Sequence, residues 1–125
     1  MIGDFATIGF VPSSDLERSR AFYGDTLGLR LTGSDDFAVS FDVAGQTLRV
    51  VAAGDFTPQP FTILGWEAPD VTAAVELLAA RGVEFTRYPH FDQDELGIWT
   101  APSGDRIAWF QDPDGNVLSF SQRGS

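Results

Sequence analysis

The sequence predicts an α+β fold built from two copies of a βαβββ module. Two segments that begin 55 residues apart, DLERSRAFYGDTLGLRL (15–31) and DVTAAVELLAARGVEFT (70–86), share the same order of features. Each begins with Asp and an aliphatic residue, continues with helical periodicity, and reaches a glycine before a short strand. An apolar, strand-like stretch precedes each segment. Because this order occurs twice, we interpret the chain as an internal duplication.

The duplication also sets the domain organisation that we predict. A chain of 125 residues suits one domain. We place module one at about residues 4–60 and module two at about 61–123 of a single domain that covers residues 1–125.

The first module begins with the apolar stretch FATIGFV (5–11), which we predict to be a strand. A helix near 15–27 follows. Ser14 and Glu17 have the spacing of a capping box, and Gly28 can take the positive φ that ends many helices. The predicted buried face of this helix consists of Leu16, Ser19, Phe22, Tyr23 and Leu27.

The second module repeats the pattern with the strand FTILGWEA (61–68) and a helix near 70–81 that ends at Gly82. The predicted buried stripe of this helix consists of Val71, Val75 and Leu78, with Leu77 as a further candidate.

The remaining strands are predicted from alternation and turn residues. FAVSFDVAGQTLRVV (37–51) and LGIWTAPSGDRIAWF (96–110) each read as two strands around a glycine turn, and VLSFSQ (117–122) reads as the last strand. DPDGN (112–116) is typical of a turn, so Asp112 and Asp114 are expected to have a structural role. We predict eight strands in all.

The turn after Ala101 decides which way two tryptophans point. With Ala101 paired with Arg106, Trp99 and Trp109 lie on opposite faces of the sheet. One tryptophan would then pack beneath the helices and the other would line the opposite face. The sequence leaves open which one does so.

Composition limits the compartment and the partners. No apolar run is long enough to span a bilayer, the N-terminus has no basic signal-peptide region, and there is no cysteine, so we expect a cytoplasmic protein. Eight basic and eighteen acidic residues give a net charge of −10. This charge repels nucleic acid and anionic membranes, and it attracts a cationic ligand.

Three segments resemble the vicinal oxygen chelate superfamily, which includes glyoxalase I, bleomycin-resistance proteins and extradiol dioxygenases. The segments are DLERSRAFYGDTLGLRL, GWEAPDV and RIAWFQDPDGNVLSF, and with the doubled module the resemblance spans nearly the whole chain. It implies a U-shaped, mostly antiparallel sheet with the helices on its outer face. It also implies a concave pocket for a small molecule and a homodimer.

The resemblance further implies where a metal would bind. Metal-dependent members carry His, Glu or Gln on the first and last strands of each module. Here these positions correspond to Ile8, Leu48 or Val50, Ile63 and Ser119. Apolar side chains cannot bind divalent cations, and a neutral serine is a poor ligand. We therefore expect no metal and no other cofactor.

Other side chains are candidates for binding a ligand. Glu67 is a candidate general base, because it follows Trp66 in an apolar strand and would lose contact with water if it faced a cavity. The other catalytic residues are left unassigned. The ligand-binding candidates are Trp99, Trp109, Phe41, Arg49, Glu67, Ser119, Ser121 and His90, with Tyr88 as a further residue of the rim.

Three functions follow as hypotheses. The first is a metal-free binding protein of the glyoxalase/bleomycin-resistance type that sequesters a flat aromatic or cationic compound. The alternative is a lyase, isomerase or dioxygenase of the same superfamily with a rearranged or metal-free active site. The third is an interaction module whose sheet edges serve only assembly.

Overall fold

The computed structural model describes residues 1–124, which form two compact units, Met1–Thr57 and the chain from Pro58 onward. Each unit holds one four-stranded sheet and one helical segment. No helix within residues 1–124 is long and apolar enough to cross a membrane.

The first unit has the predicted βαβββ order. After a short 3₁₀ turn at Ile2–Asp4, its elements are β1 (Ile8–Ser13), α1 (Leu16–Arg20), a π-helical continuation (Ala21–Thr26), β2 (Arg30–Ser34), β3 (Ala38–Val43) and β4 (Gln46–Ala52). The strand order in the sheet is β1-β4-β3-β2. β1 is parallel to β4, and the other two pairings are antiparallel.

The second unit has the same topology. Its elements are β5 (Thr62–Glu67), α2 (Val71–Ala80), β6 (Trp99–Thr100), β7 (Arg106–Gln111) and β8 (Val117–Gln122). The strand order is β5-β8-β7-β6, with β5 parallel to β8 and the rest antiparallel. The predicted two-module α+β fold, with mostly antiparallel sheets, is confirmed.

The internal alignment of the two modules differs from the prediction. Since the strand orders match, the β3–β4 hairpin corresponds to β7–β8, and not to residues 96–110. The predicted strand after Gly82 is reduced to a single bridge between Phe85 and Phe110. The reason is the longer connection after α2, whose residues form a loop before β6 takes the edge of the sheet.

Both helices begin at an aspartate that caps the first turn. The Asp15 carboxylate accepts from the Arg18 backbone N–H at 3.1 Å, and Asp70 accepts from the Ala73 N–H at 3.1 Å. The predicted capping box at Ser14 is therefore wrong by one residue. The charged Asp15 satisfies the free N–H, while the Ser14 hydroxyl accepts from the Arg18 guanidinium instead.

The helices cover one face of each sheet, which we call the helix face. In the first unit Tyr23 packs beside Phe41, and Phe41, Leu48 and Val50 are buried. In the second unit Val71 and Val75 of α2 pack with Ile98 and Ala108. Most of the predicted helix stripes are buried, but Leu77 is 54% exposed and does not belong to its stripe.

The predicted turn before the last strand is confirmed. Asp112 Oδ1 accepts from the backbone N–H groups of Asp114 and Asn116, and Asp112 Oδ2 accepts from the Asn116 side chain. Gly115 takes the positive φ of 87°. Asp112 is buried and serves the turn.

Candidate functional site

The face of each sheet opposite the helices, here called the open face, carries the candidate site residues. In the first unit one row of paired residues crosses all four strands, in the order Phe10, Arg49, Ser40, Gly33. Neighbouring residues of a strand point to opposite faces, so this row points away from the buried Leu48.

A hollow of about 450 Å³ lies along this row, and we call it the Arg49 hollow. Phe10 and Phe37 border the hollow, and these residues are 60% and 76% exposed. Its other lining residues include Gly33, Ser40, Arg49 and Val51. The hollow therefore combines exposed aromatic surface with a hydroxyl and a guanidinium.

The charge of Arg49 is not neutralised locally. Its guanidinium makes no hydrogen bond or ion pair with another residue in the part of the chain that the structure describes. Arg30, on the same face, pairs with Asp42 at 3.5 Å. Asp35 also lines the hollow, but its Oδ1 accepts from the N–H groups of Phe37 and Ala38.

The open face of the second unit carries a cluster of rings, which we call the aromatic cluster. The Phe91 ring stacks on Trp99 at 4.3 Å and on Trp109 at 5.2 Å between centroids, with only 4° between the Phe91 and Trp109 planes. The other members are Tyr88 and His90, which contact Trp109 and Phe91 respectively. All but His90 are partly buried.

The cluster corrects the predicted orientation of the tryptophans. The Ala101 N–H donates to the Asp105 carbonyl, so Trp99 lies opposite Ile107 and not Ala108. A register shift of one residue moves a side chain to the other face. Trp99 and Trp109 therefore share the open face, with ring centroids 6.1 Å apart.

Gln93 fixes the loop that supplies Phe91. Its side-chain amide donates to the carbonyls of Thr86 and Gly97, and its Oε1 accepts from the Tyr88 N–H at 2.7 Å. Sequence reasoning identified neither Phe91 nor Gln93. The aromatic run at 88–91 was the available signal for Phe91, whereas a glutamine that organises a loop has no pattern of its own.

Two predicted serines lie near the cluster. Ser119 pairs with Trp109 on one side and with Gly65 on the other, and it is 6% exposed. Ser121 lies between Ile107 and Glu67. Both serines are therefore on the open face of the second unit, as strand parity predicts.

Glu67 is not a desolvated base. Its carboxylate forms an ion pair with Arg123, and the two side chains are 61% and 81% exposed. Both line a hollow of about 380 Å³ that also includes Gln122. Since water reaches this carboxylate, burial does not set it apart from other surface acids.

Phe41 does not lie with the other candidates. It is fully buried on the helix face, with its ring 6.2 Å from that of Tyr23. Its neighbour in sequence, Ser40, occupies the open face. The hydrophobic core explains this difference, because the aromatic side chain packs under the helix and the small polar one faces outward.

The family's metal positions need one correction. Leu48 and Val50 are buried on the helix face, so the residue between them on the open face of β4 is Arg49. Ile8 and Ser119 supply no strong donor on the first and last strands of their units. No group of three or more His, Cys, Asp or Glu side chains within residues 1–124 is arranged to hold a metal ion. The residues at these positions do not fit a divalent cation.

Comparison with known proteins gives a family match over most of the chain. The family model of the Glyoxalase/Bleomycin resistance protein/Dioxygenase superfamily matches residues 5–120. No curated protein matches the sequence.

Solved structures share the fold at low sequence identity. A member of the glyoxalase/bleomycin resistance protein/dioxygenase superfamily from Sphaerobacter thermophilus has a TM-score of 0.76 and 22% identity, covering 98% of this chain and 100% of that chain. A lactoylglutathione lyase from Agrobacterium tumefaciens has a TM-score of 0.73 and 18% identity, covering 95% and 93%. A superfamily protein from Alicyclobacillus acidocaldarius has a TM-score of 0.71 and 19% identity, covering 96% and 92%.

Proposed function

Because the chain belongs to the glyoxalase/bleomycin resistance protein/dioxygenase superfamily, we propose that it binds a flat aromatic small molecule without a metal ion. The observation that carries this proposal is the aromatic cluster around Trp99 and Trp109. Its rings are ordered by one another and remain partly exposed, so a ligand ring can add to the stack. Such aromatic pairs contribute about 0.5–1.5 kcal/mol beyond the burial of area.

The residues at the family's metal positions support the second part of the proposal. To bind a divalent cation, a protein must bring several oxygen, nitrogen or sulfur donors together around it. Here the open faces offer Ile8, Arg49 and Ser119 at those positions, and a guanidinium repels a cation. Recognition of the ligand then depends on stacking and hydrogen bonding.

We also propose that the ligand can carry a positive charge. The net charge of −10 attracts a cationic compound at long range, and added salt should slow its association. We further propose a cytoplasmic homodimer, formed of one domain per chain, that binds neither nucleic acid nor membranes.

A superfamily reaction, such as that of a lyase, isomerase or dioxygenase, is the alternative predicted from the sequence. Glu67 was its candidate base. The exposed Glu67–Arg123 ion pair does not favour this alternative, because a catalytic base is normally placed where water is limited. Product analysis with each ligand distinguishes the two functions.

Tryptophan fluorescence tests the proposal, since Trp99 and Trp109 are on the open face and Trp66 contacts Phe110 and Phe120 of the core. A panel of flat neutral and cationic compounds is titrated into the wild-type protein and into the variants Trp99→Phe, Trp109→Phe and Trp66→Phe. We expect saturable quenching with unchanged ligand, and weaker quenching in the first two variants. Trp66→Phe is the matched control and should keep the response.

The proposal is wrong if no compound quenches, or if Trp66→Phe alone removes the response. Conversion of a hemithioacetal or catechol after addition of Fe²⁺, Ni²⁺ or Zn²⁺ would instead support the enzymatic alternative.

A further inference from the structure

We propose that the Arg49 hollow binds the carboxylate group of a flat aromatic acid, with the guanidinium of Arg49 pairing with the anion and Phe10 and Phe37 contacting the ring. The inference rests on the proposed binding of a flat aromatic compound and goes beyond it, because it adds a second site, in the first unit, where the local charge of Arg49 favours an anion although the net charge of the chain is −10. Arg49 then supplies the positive charge at a strand position where the family's metal-dependent members carry a metal ligand.

The duplicated modules show why a ligand fits in the first unit. The equivalent row of the second unit runs through Gly65, Ser119 and Trp109, and the Phe91 ring already stacks on that tryptophan. In the first unit the position of Trp109 is taken by Ser40, and Gly33 follows it in the row. Phe10 and Arg49 take the positions of Gly65 and Ser119, so the first unit carries its ring and its charge at one end of the row and leaves space at Ser40 and Gly33.

Gly33 adds to this space. A Cβ placed on Gly33 would meet no atom within 4 Å, and the residue does not have a positive φ. A side chain introduced there would extend into the hollow without backbone strain. The absence of a side chain at this position leaves room for a planar group beside the Ser40 hydroxyl.

The charge of the hollow selects the ligand. Arg49 has no partner among the described residues, and the nearest acid of the lining, Asp35, holds the backbone of its own turn. A guanidinium presents parallel N–H donors that match the two oxygens of a carboxylate. Ser40 can donate a further hydrogen bond. A neutral carbonyl can accept a hydrogen bond from Arg49 but forms no ion pair with it, and a cationic group is repelled.

The aromatic part of the ligand follows from the two rings at the border. Phe10 and Phe37 expose apolar area in the same hollow as the guanidinium, and a flat apolar ligand would cover this area while its anion pairs with Arg49. The Phe37 backbone is held by Asp35 and by a hydrogen bond from Ala52 to its carbonyl. The border is therefore partly preorganised.

The test uses 2-naphthoate and its neutral isostere 2-naphthamide as probes, with calorimetry as the readout. The variants are Arg49→Met and its control Arg30→Met, which removes a charge from the same face. A second pair is Gly33→Leu, which places a side chain in the hollow, and the control Gly3→Leu, at a glycine where an added Cβ would also meet no atom within 4 Å. Circular dichroism shows whether each variant is folded.

We expect 2-naphthoate to bind more tightly than 2-naphthamide. Arg49→Met should weaken 2-naphthoate by about tenfold or more, since hydrogen bonds between two charged groups are the strong ones, and should weaken 2-naphthamide much less. Arg30→Met and Gly3→Leu should stay within about twofold of the wild type on the same reasoning. Gly33→Leu should abolish binding of 2-naphthoate. In the wild type, addition of 2-naphthoate should shift the backbone amide NMR signals of Ser40 and Arg49.

Equal affinity for the two probes, or no effect of Arg49→Met, overturns the inference. If flat compounds quench Trp99 and Trp109 while amides of the first unit do not shift, the proposed function stands and the Arg49 hollow is not the site. If no flat compound binds anywhere, the proposed function fails as well. A change of oligomeric state in Gly33→Leu, with unchanged affinity for 2-naphthoate, would identify the hollow as a surface between two copies of the chain and also overturn the inference.

Discussion

At the residue scale, Asp112 holds the turn before β8 through three side-chain hydrogen bonds. We predict that Asp112→Ala lowers the free energy of unfolding by about 1–3 kcal/mol, because the buried Asn116 loses two hydrogen bonds to the Asp112 carboxylate. Urea unfolding measures the change. Asp36→Ala, in an exposed turn, is the control and should be nearly neutral. Equal effects of the two substitutions would contradict the assigned role of Asp112.

Gln93 offers a sharper test of how the aromatic cluster is ordered. In Gln93→Glu the carboxylate can still accept from the Tyr88 N–H, but it cannot donate to the carbonyls of Thr86 and Gly97. We predict faster amide hydrogen exchange over residues 86–97 and a reduced near-ultraviolet signal from Trp99 and Trp109, with α2 unchanged. Unchanged exchange in this loop would show that ring stacking alone holds it.

Single residues also show where sequence reasoning reached its limit. The orientation of Trp99 depended on whether the hairpin pairs Ala101 with Arg106 or with Asp105, and both alternatives contain the same turn residues. Likewise, Leu48 and Arg49 are neighbours in β4, but Leu48 lies in the core and Arg49 lies on the open face. Alternation gives the relative orientation of neighbours, but the absolute direction depends on register, which is set by packing.

At the scale of elements, each module begins its helix at an aspartate. We predict that Asp15→Ala and Asp70→Ala each destabilise the protein by about 0.5–2 kcal/mol, since each leaves an N–H of the first turn without its partner. Ser14→Ala serves as the comparison, because Ser14 precedes the cap residue and its hydroxyl accepts from the Arg18 guanidinium. Thermal or urea unfolding measures all three. If Ser14→Ala destabilised the protein as much as Asp15→Ala, the result would support the predicted capping box at Ser14 instead.

The elements that were predicted correctly have strong local signals. The helix near 70–81 is predicted by its apolar stripe and by Gly82, which has a φ of 89° at its end, whereas its cap at Asp70 is found only in the structure. The first helix was predicted in place, but its π-helical second half was not, because the i→i+5 bond from Leu27 to Phe22 has no sequence pattern. The loop at 88–97 was identified, but its stacked Phe91 depends on contacts with β6 and β7.

At the scale of the whole molecule, we predict a homodimer. Phe5, Phe61 and Leu77 are among the apolar residues that one chain leaves exposed outside the Arg49 hollow, and such surface is often covered by assembly. Light scattering at micromolar concentration should give about twice the chain mass of 13.6 kDa. A mass near that of one chain would exclude the dimer.

The fold was therefore more predictable than the site. Asp15 and Asp70 occupy equivalent positions in the two modules, and each caps a helix through a hydrogen bond to a residue three positions away. Asp112 likewise forms a turn with its near neighbours, so these elements can be predicted from short stretches of sequence. The Arg49 hollow depends on a row of four residues from four strands, which are separated by up to 39 positions between Phe10 and Arg49. Only the pairing of strands brings such residues together.

Titration of metal-stripped protein tests whether ligand binding needs a metal ion. The protein is treated with a chelator and dialysed, and a flat aromatic compound that quenches the wild-type tryptophans is titrated before and after addition of Mg²⁺, Fe²⁺, Ni²⁺ or Zn²⁺. We predict the same dissociation constant in every case and unchanged ligand at the end. Binding or product formation that appears only after one of these metals is added would contradict the account.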